Sequence, residues 1–245
     1  MADEAASVLL LWDVDHTLIE NAGVSKENYA LAFEILAGRV PGVQPQTDGR
    51  TDVGIMADLL SDNGEDPAAY SLKRQRDALA AAASRNSGAL AARGHALPGA
   101  AACLARASGE TGVLQSVLTG NIQPNAILKL RAFGLDIWMD WEIGGFGWDS
   151  PVRARLVPAA QERASEKHGF DAARDVTVVV GDTTLDVTAG IDGGARVIAV
   201  ATGIFSRQQL AAAAADIVLD GLADVDAFMD ALGTARKLGP VPARL

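Results

Sequence analysis

Cysteine is almost missing from this sequence: Cys103 stands alone among 245 residues. A single thiol excludes an intramolecular disulfide and any cysteine-based metal cluster. It lies in an alanine-rich, helix-favouring stretch and reads as a buried structural thiol. Positive charge is also short, with 21 Lys and Arg against 31 Asp and Glu and a net charge of −10. That balance argues against a nucleic-acid or anionic-membrane partner. It leaves phosphate substrates open, because a metal ion reverses the local field in an acidic site. No apolar run approaches the roughly 20 residues needed to span a bilayer. The first residues, Met1-Ala2-Asp3-Glu4, carry acids where a secretory signal carries bases, so a cytoplasmic location is the expectation. No internal repeat is visible; Ala211 to Ala215 is helix-favouring composition only.

What is present is a globular composition, 49% hydrophobic, in a chain long enough for one large α/β domain or a core with a smaller insert. Val8 to Trp12 is a continuous apolar run, as in a strand buried on both faces of a parallel sheet. Asp13 and Asp15 follow at its carboxyl end, where open α/β sheets bind their ligands. Two acids there repel each other unless a cation or a shared proton compensates. Their alternate spacing lets both approach one ion or one substrate. Thr17 adds a hydroxyl, giving D-x-D-x-T behind a hydrophobic strand.

From residue 21 to residue 94 the apolar spacing is helical. Tyr29, Ala32, Phe33 and Leu36 mark a first helix, with Ser25 as its N-cap and Gly38 as its stop. Thr51 or Asp52 caps a second, and Pro67 opens a third that runs to Gly94. Beyond Gly99, strand and helix alternate, which implies a parallel sheet. Strands are expected at Thr111 to Leu118, Ile137 to Ile143, Val176 to Val180, Ala195 to Val200 and Ile217 to Leu219. Helices are expected at 100–107, 121–133, 152–168, 183–192, 206–214 and 222–232, with a loose tail from Gly233.

Two further strand ends carry useful groups. Thr119-Gly120-Asn121 offers a hydroxyl and free backbone N–H groups to an anion, or merely caps the next helix. Gly181-Asp182 and Asp186 place two acids one helical turn apart at a helix start, where the helix dipole favours them in any case.

The order of these segments resembles the haloacid dehalogenase (HAD) superfamily. D-x-D-x-T at Asp13, the strand-terminal Thr119 and G-D-x-x-x-D at Gly181 match its first, second and fourth signatures. The third, usually a Lys followed by Pro, is altered here: Arg153 is the better candidate and Arg155 the second. His16 stands where Gly is common in the family and reads as a turn variant. The resemblance implies an α/β fold, with a Rossmann-like doubly wound parallel sheet in residues 1–20 and 95–245. Residues 21–94 would be a helical cap of the C1 type, as in the phosphoglycolate-phosphatase-like and β-phosphoglucomutase-like branch.

It implies, further, a phosphatase acting on a small phosphorylated metabolite. Asp13 would be the nucleophile that becomes an aspartyl phosphate, and Asp15 the general acid and then base. Mg²⁺ would be held by Asp13, the backbone carbonyl of Asp15, and Asp182, with Asp186 either bound through water or orienting Arg153. Thr119 and Arg153 would hold the transferred oxygens, and Thr17, Gly120 and Asn121 would line the substrate. Arg50, at a cap-helix start, either meets an anionic substrate group or is a solvated surface residue. A phosphomutase or phosphotransferase of the same superfamily is the alternative, followed by a non-catalytic phospho-accepting or binding protein. The presence of Asp15 favours phosphate chemistry over carbon–halogen cleavage. Neither the physiological substrate nor the oligomeric state follows from the residues.

Overall fold

The computed structural model describes residues 7–244; the Met1 to Glu4 stretch lies outside the described residues. Five strands of alternating β/α connection and one short edge strand make a six-stranded parallel sheet, β5-β4-β1-β6-β7-β8. In chain order these are β1 Val8–Trp12, β4 Val113–Thr119, β5 Gly145–Phe146, β6 Val176–Gly181, β7 Arg196–Val200 and β8 Ile217–Leu219. This is an α/β Rossmann-like fold. β1 sits between β4 and β6, so the chain leaves it in opposite directions and opens a crevice at the strand carboxyl ends. Asp13 emerges directly into that crevice.

The apolar run of β1 is buried on both faces because both faces are covered. Val8, Leu10 and Trp12 pack with Val178, Leu104 and Phe228 on one side, where the Trp12 and Phe228 ring centroids are 4.9 Å apart. Leu9 and Leu11 pack with Val179, Leu156 and Val157 on the other. The helices covering the sheet are α5 Ala100–Ser108, α6 Gln123–Arg131, α7 Leu156–His168, α8 Thr184–Gly193, α9 Arg207–Ala212 and α10 Val225–Leu238. Cys103 is buried in α5, where burial pushes its thiol up to about 12. No helix among the described residues is long and apolar enough to cross a membrane.

Between β1 and β4 the chain makes α1 Val24–Ala37, α2 Asp52–Asp62, α3 Leu72–Arg85 and α4 Ser87–Arg93. A two-residue antiparallel ribbon, β2 Ile19–Glu20 against β3 His95–Ala96, closes the base of this insertion. The inserted helices have their own apolar cluster around Phe33, Ile55, Met56, Leu60 and Leu79, and Ile122 of the sheet domain is buried within it.

Several boundaries differ from the sequence reading, each for a local reason. Ser25 is not the cap of α1: Gly23, at φ 81°, holds that position, and Asn21 Oδ1 accepts its N–H. Thr51 caps α2 by accepting from the Gly54 N–H. The long third helix is broken at Asn86, whose side chain bonds Asn28 and whose neighbours Ser87 and Gly88 favour helix weakly. The expected strand at 137–143 is a 3₁₀ turn and loop, with pairing confined to Gly145 and Phe146. Glycines make that edge: a Cβ at Gly145 would lie 2.5 Å from the Leu156 carbonyl oxygen. The last helix runs through Gly233 to Leu238, because Leu232 and Ala235 continue its buried face.

Candidate functional site

Two strand ends and one helix start converge. Asp13 follows β1, Asp182 follows β6, and Asp186 lies in the first turn of α8. Carboxylate oxygens of all three lie within 4.8 Å of one another, and all three residues are buried. Arg153, in a 3₁₀ turn before α7, bonds Asp13 Oδ1 at 2.8 Å and also Asp186 through the same Nη2. Arg155, two residues on, is exposed. Arg153 therefore occupies the position beside the acids, with its Nε buried and unbonded. Thr183 and Asp186 form a reciprocal capping box that fixes the start of α8 and, with it, the Asp186 carboxylate.

One guanidinium does not offset three buried carboxylates. Burial and the Asp186 charge push Asp13 up to about 7 despite Arg153. Burial, with Asp186 and Asp13 nearby, raises Asp182 well above the carboxylate range. Clustered hard oxygen donors with excess negative charge are what a hard divalent cation such as Mg²⁺ takes, so the residues present fit that ion. Gly203 shapes the pocket from the loop after β7: a Cβ there would lie 1.9 Å from Asp182 Oδ2.

Asp15 behaves differently from Asp13. Its carboxylate is met by the Lys129 ammonium at 2.6 and 2.9 Å, by Asn121 Nδ2 at 2.9 Å, by Asn21 Nδ2 at 2.8 Å and by Ser25 Oγ at 3.3 Å. Burial raises its pKa, but Lys129 and the amide donors outweigh burial and bring it down to about 2. Its carboxylate thus faces away from the three-acid cluster, and the cluster of potential metal ligands is Asp13, Asp182 and Asp186. Lys129 was not among the residues singled out from the sequence. It is 4% exposed on α6, yet in the string ILKLR it reads as an ordinary surface lysine.

Asp13, Asp15, Thr119, Gly120, Asn121, Arg153 and Asp182 line one pocket together with His16, Asn21, Ser25, Tyr29 and the 47–50 loop of the insertion. Thr17, expected at the substrate, is instead fully buried and donates to Asp182 Oδ1 at 3.1 Å, so it orients that acid. Arg50 lines the pocket, and its guanidinium bonds Asp58 of α2. His16 has φ 60°, the left-handed turn conformation that glycine adopts freely, and its ring bonds Glu20. The insertion presses on the site without side chains between: a Cβ on Gly120 would meet the Arg50 carbonyl oxygen at 1.9 Å.

This chain resembles known proteins in part of its sequence and in its fold. A family model described as HAD-hydrolase-like matches residues 152–225. "Probable phosphatase IndB" of Dickeya dadantii (strain 3937) is 31% identical over 147 residues, which is 60% of this chain and 59% of that protein. A haloacid dehalogenase-like family hydrolase from Streptococcus pneumoniae has a similar structure, with a TM-score of 0.58 at 16% identity, covering 92% of this chain and 99% of that one. CbbY from Rhodobacter sphaeroides, solved in complex with phosphate, has a TM-score of 0.60 at 18% identity, covering 90% of this chain and 96% of that one. At such identities the structural likeness shows the fold.

Proposed function

We propose that this chain is a haloacid dehalogenase-like hydrolase, a Mg²⁺-dependent phosphatase of a small phosphomonoester that works through an aspartyl phosphate on Asp13. The observation that carries this reading is the convergence of Asp13, Asp182 and Asp186 with Arg153 at the carboxyl ends of parallel strands. Residues 21–94 act as the helical cap over a core formed by 1–20 and 95–245.

Asp13, Asp182 and Asp186 would hold Mg²⁺, which supplies positive charge against the carboxylates and the phosphoryl group. An Asp13 carboxylate oxygen attacks phosphorus, and the bond from phosphorus to the substrate's alcohol oxygen breaks. Arg153 holds Asp13 in place and offers positive charge to the transferred oxygens. Thr119 Oγ1 and the backbone at Gly120 and Asn121 border the same space. Asp15 protonates the departing alcohol and then takes a proton from the water that cleaves the acyl phosphate. In its hold on Lys129 the Asp15 carboxylate is in the form the second step needs, so the first step requires it to leave that ammonium. Asn21 and Ser25, at the root of the insertion, are the partners that move with the cap.

The test is release of phosphate from p-nitrophenyl phosphate and a panel of phosphorylated metabolites, with Mg²⁺ and with chelator. Mg²⁺-dependent turnover, with a trapped phosphoryl group on Asp13 that vanishes in Asp13→Asn, is the expected result. Turnover that persists in Asp13→Asn would overturn the reading.

A further inference from the structure

Thr119, Asn121 and Lys129 form a chain whose hydrogen-bond directions are fixed by charge. The Lys129 ammonium has three N–H donors, and three acceptors meet them: Asp15 Oδ2 at 2.6 Å, Asp15 Oδ1 at 2.9 Å and Asn121 Oδ1 at 2.7 Å. An ammonium only donates, so the Asn121 atom facing it has to be the carbonyl oxygen. The amide nitrogen is then turned the other way, and its two hydrogens go to Asp15 Oδ2 at 2.9 Å and Thr119 Oγ1 at 2.8 Å.

Thr119 Oγ1 also accepts the backbone N–H of Asn121 at 3.2 Å. Both lone pairs of that hydroxyl are occupied, so its one proton has to be given away rather than shared back. Thr119 lines the pocket with Asp13 and Arg153, whereas Lys129 does not border that pocket and lies behind Asn121.

We propose that Lys129 is a positioning residue that, through Asn121, locks the Thr119 hydroxyl as a donor into the pocket toward a phosphoryl oxygen. This rests on the phosphatase reading for the identity of the anion. Without the ammonium, only the bond to Asp15 Oδ2 still opposes turning over of the Asn121 amide, and the turned-over form gains population. Its oxygen then faces Thr119 and captures the hydroxyl proton, and the pocket loses one hydrogen bond to a charged oxygen. A bond of that kind corresponds to a roughly 10- to 100-fold change in binding.

The experiment is calorimetric titration of inorganic phosphate into the Mg²⁺-containing protein, with steady-state kinetics on p-nitrophenyl phosphate alongside. Lys129→Met and Thr119→Val should each weaken phosphate binding by roughly 10- to 100-fold, and the double variant should be no weaker than either. Lys129→Arg, which can still donate to Asn121 Oδ1, should recover most of the affinity. Two losses that multiply would mean that Lys129 acts on the anion by its charge alone, and would overturn the proposal. Affinity within about twofold of wild type in Lys129→Met would overturn it as well.

Lys129→Met leaves Asp15 without its counter-charge, so the same comparison is made in an Asp15→Asn background, where no carboxylate is stranded. Phosphate affinity that does not fall between Asp15→Asn and Asp15→Asn/Lys129→Met overturns the proposal there too. Failure of the phosphatase reading shows separately, as wild-type protein that binds phosphate but turns over no phosphomonoester.

Discussion

Asp52, the first residue of α2, accepts the backbone N–H of Ile122 at 2.7 Å, tying the inserted helices to the start of α6. Its second partner is the Tyr29 hydroxyl of α1, and its own N–H reaches the Gly120 carbonyl oxygen at 2.7 Å. The carboxyl group is 1% exposed, and burial pushes it up to about 6 from the ordinary 3.8, against the pull of Tyr29 and Ile122. A carboxyl group whose folded-state pKa is raised binds more protons folded than unfolded between those two values. Its contribution to stability is therefore complete below pH 3.8 and is lost as pH rises through about 6. Asp52→Asn lacks this dependence. Relative to wild type, the variant should gain about 2 kcal/mol between pH 4 and pH 7, read by urea unfolding at each pH. A constant difference across that range would remove the buried carboxyl as the cause.

Metal binding should release protons. With Asp13 raised to about 7 by burial and Asp186, and Asp182 raised in the same direction by burial and its acidic neighbours, the cation-free cluster is still partly protonated at neutral pH. Mg²⁺ requires the ionised carboxylates, so its affinity should strengthen by about tenfold per pH unit for each proton released. Calorimetry at pH 7 in two buffers of different ionisation enthalpy measures the count directly. Heats that do not depend on the buffer would contradict the assigned cluster.

Arg153 and Arg155 should separate cleanly. Arg153 is bonded to two of the acids, and removing it leaves their repulsion without its positive charge. Arg153→Ala should lower kcat by roughly 10²- to 10³-fold, and Arg153→Lys should recover part of this, since an ammonium is a point charge on a shorter side chain. Arg155→Ala, at an exposed site, should retain near wild-type kinetics. The reverse order of effects would move the assignment by two residues.

Gly203→Ala should act on the metal without touching an acid. The added Cβ would stand 1.9 Å from Asp182 Oδ2, and the carboxylate has to turn aside. Mg²⁺ affinity should fall by about 10- to 100-fold, the range seen when support for a ligand is lost. Far-UV circular dichroism should be unchanged. Undiminished Mg²⁺ binding would place Asp182 outside the metal site.

Much of this was legible in the sequence, and the reasons lie in particular residues. β1 is apolar throughout and β6 is apolar but for Thr177, because helices cover both faces, so Val8 to Trp12 and Val176 to Val180 could not be mistaken for surface strands. The acids at their ends stand in a fixed order that local composition does not explain. Lys129 was hidden because its burial is tertiary: α6 presents it to Asp15, 114 positions earlier in the chain. Ser25 looked like a cap because serine favours helix starts, yet its hydroxyl is turned to Asp15. Thr17 sits within the D-x-D-x-T string, but which acid its hydroxyl supports depends on where β6 ends. The short edge strand at Gly145 was missed because its glycines, two of them (Gly145 and Gly147) packed against backbone, carry no alternation to read.

The ribbon of Ile19–Glu20 against His95–Ala96 brings the two ends of the inserted helices into register with each other. Sheet strands lie about 4.7–4.9 Å apart, so the sheet domain meets the insertion as a loop already closed at its neck. The parallel order of the sheet places no inserted residue between its strands. The segment is thus a cassette. Replacing it with a short turn joining Glu20 to His95 leaves every strand neighbour in place, whereas a helical segment from another protein has to match the spacing of that neck and also cover Ile122. Exchange of the whole segment would change what closes over the pocket, while the carboxylates beneath stay at the ends of their strands.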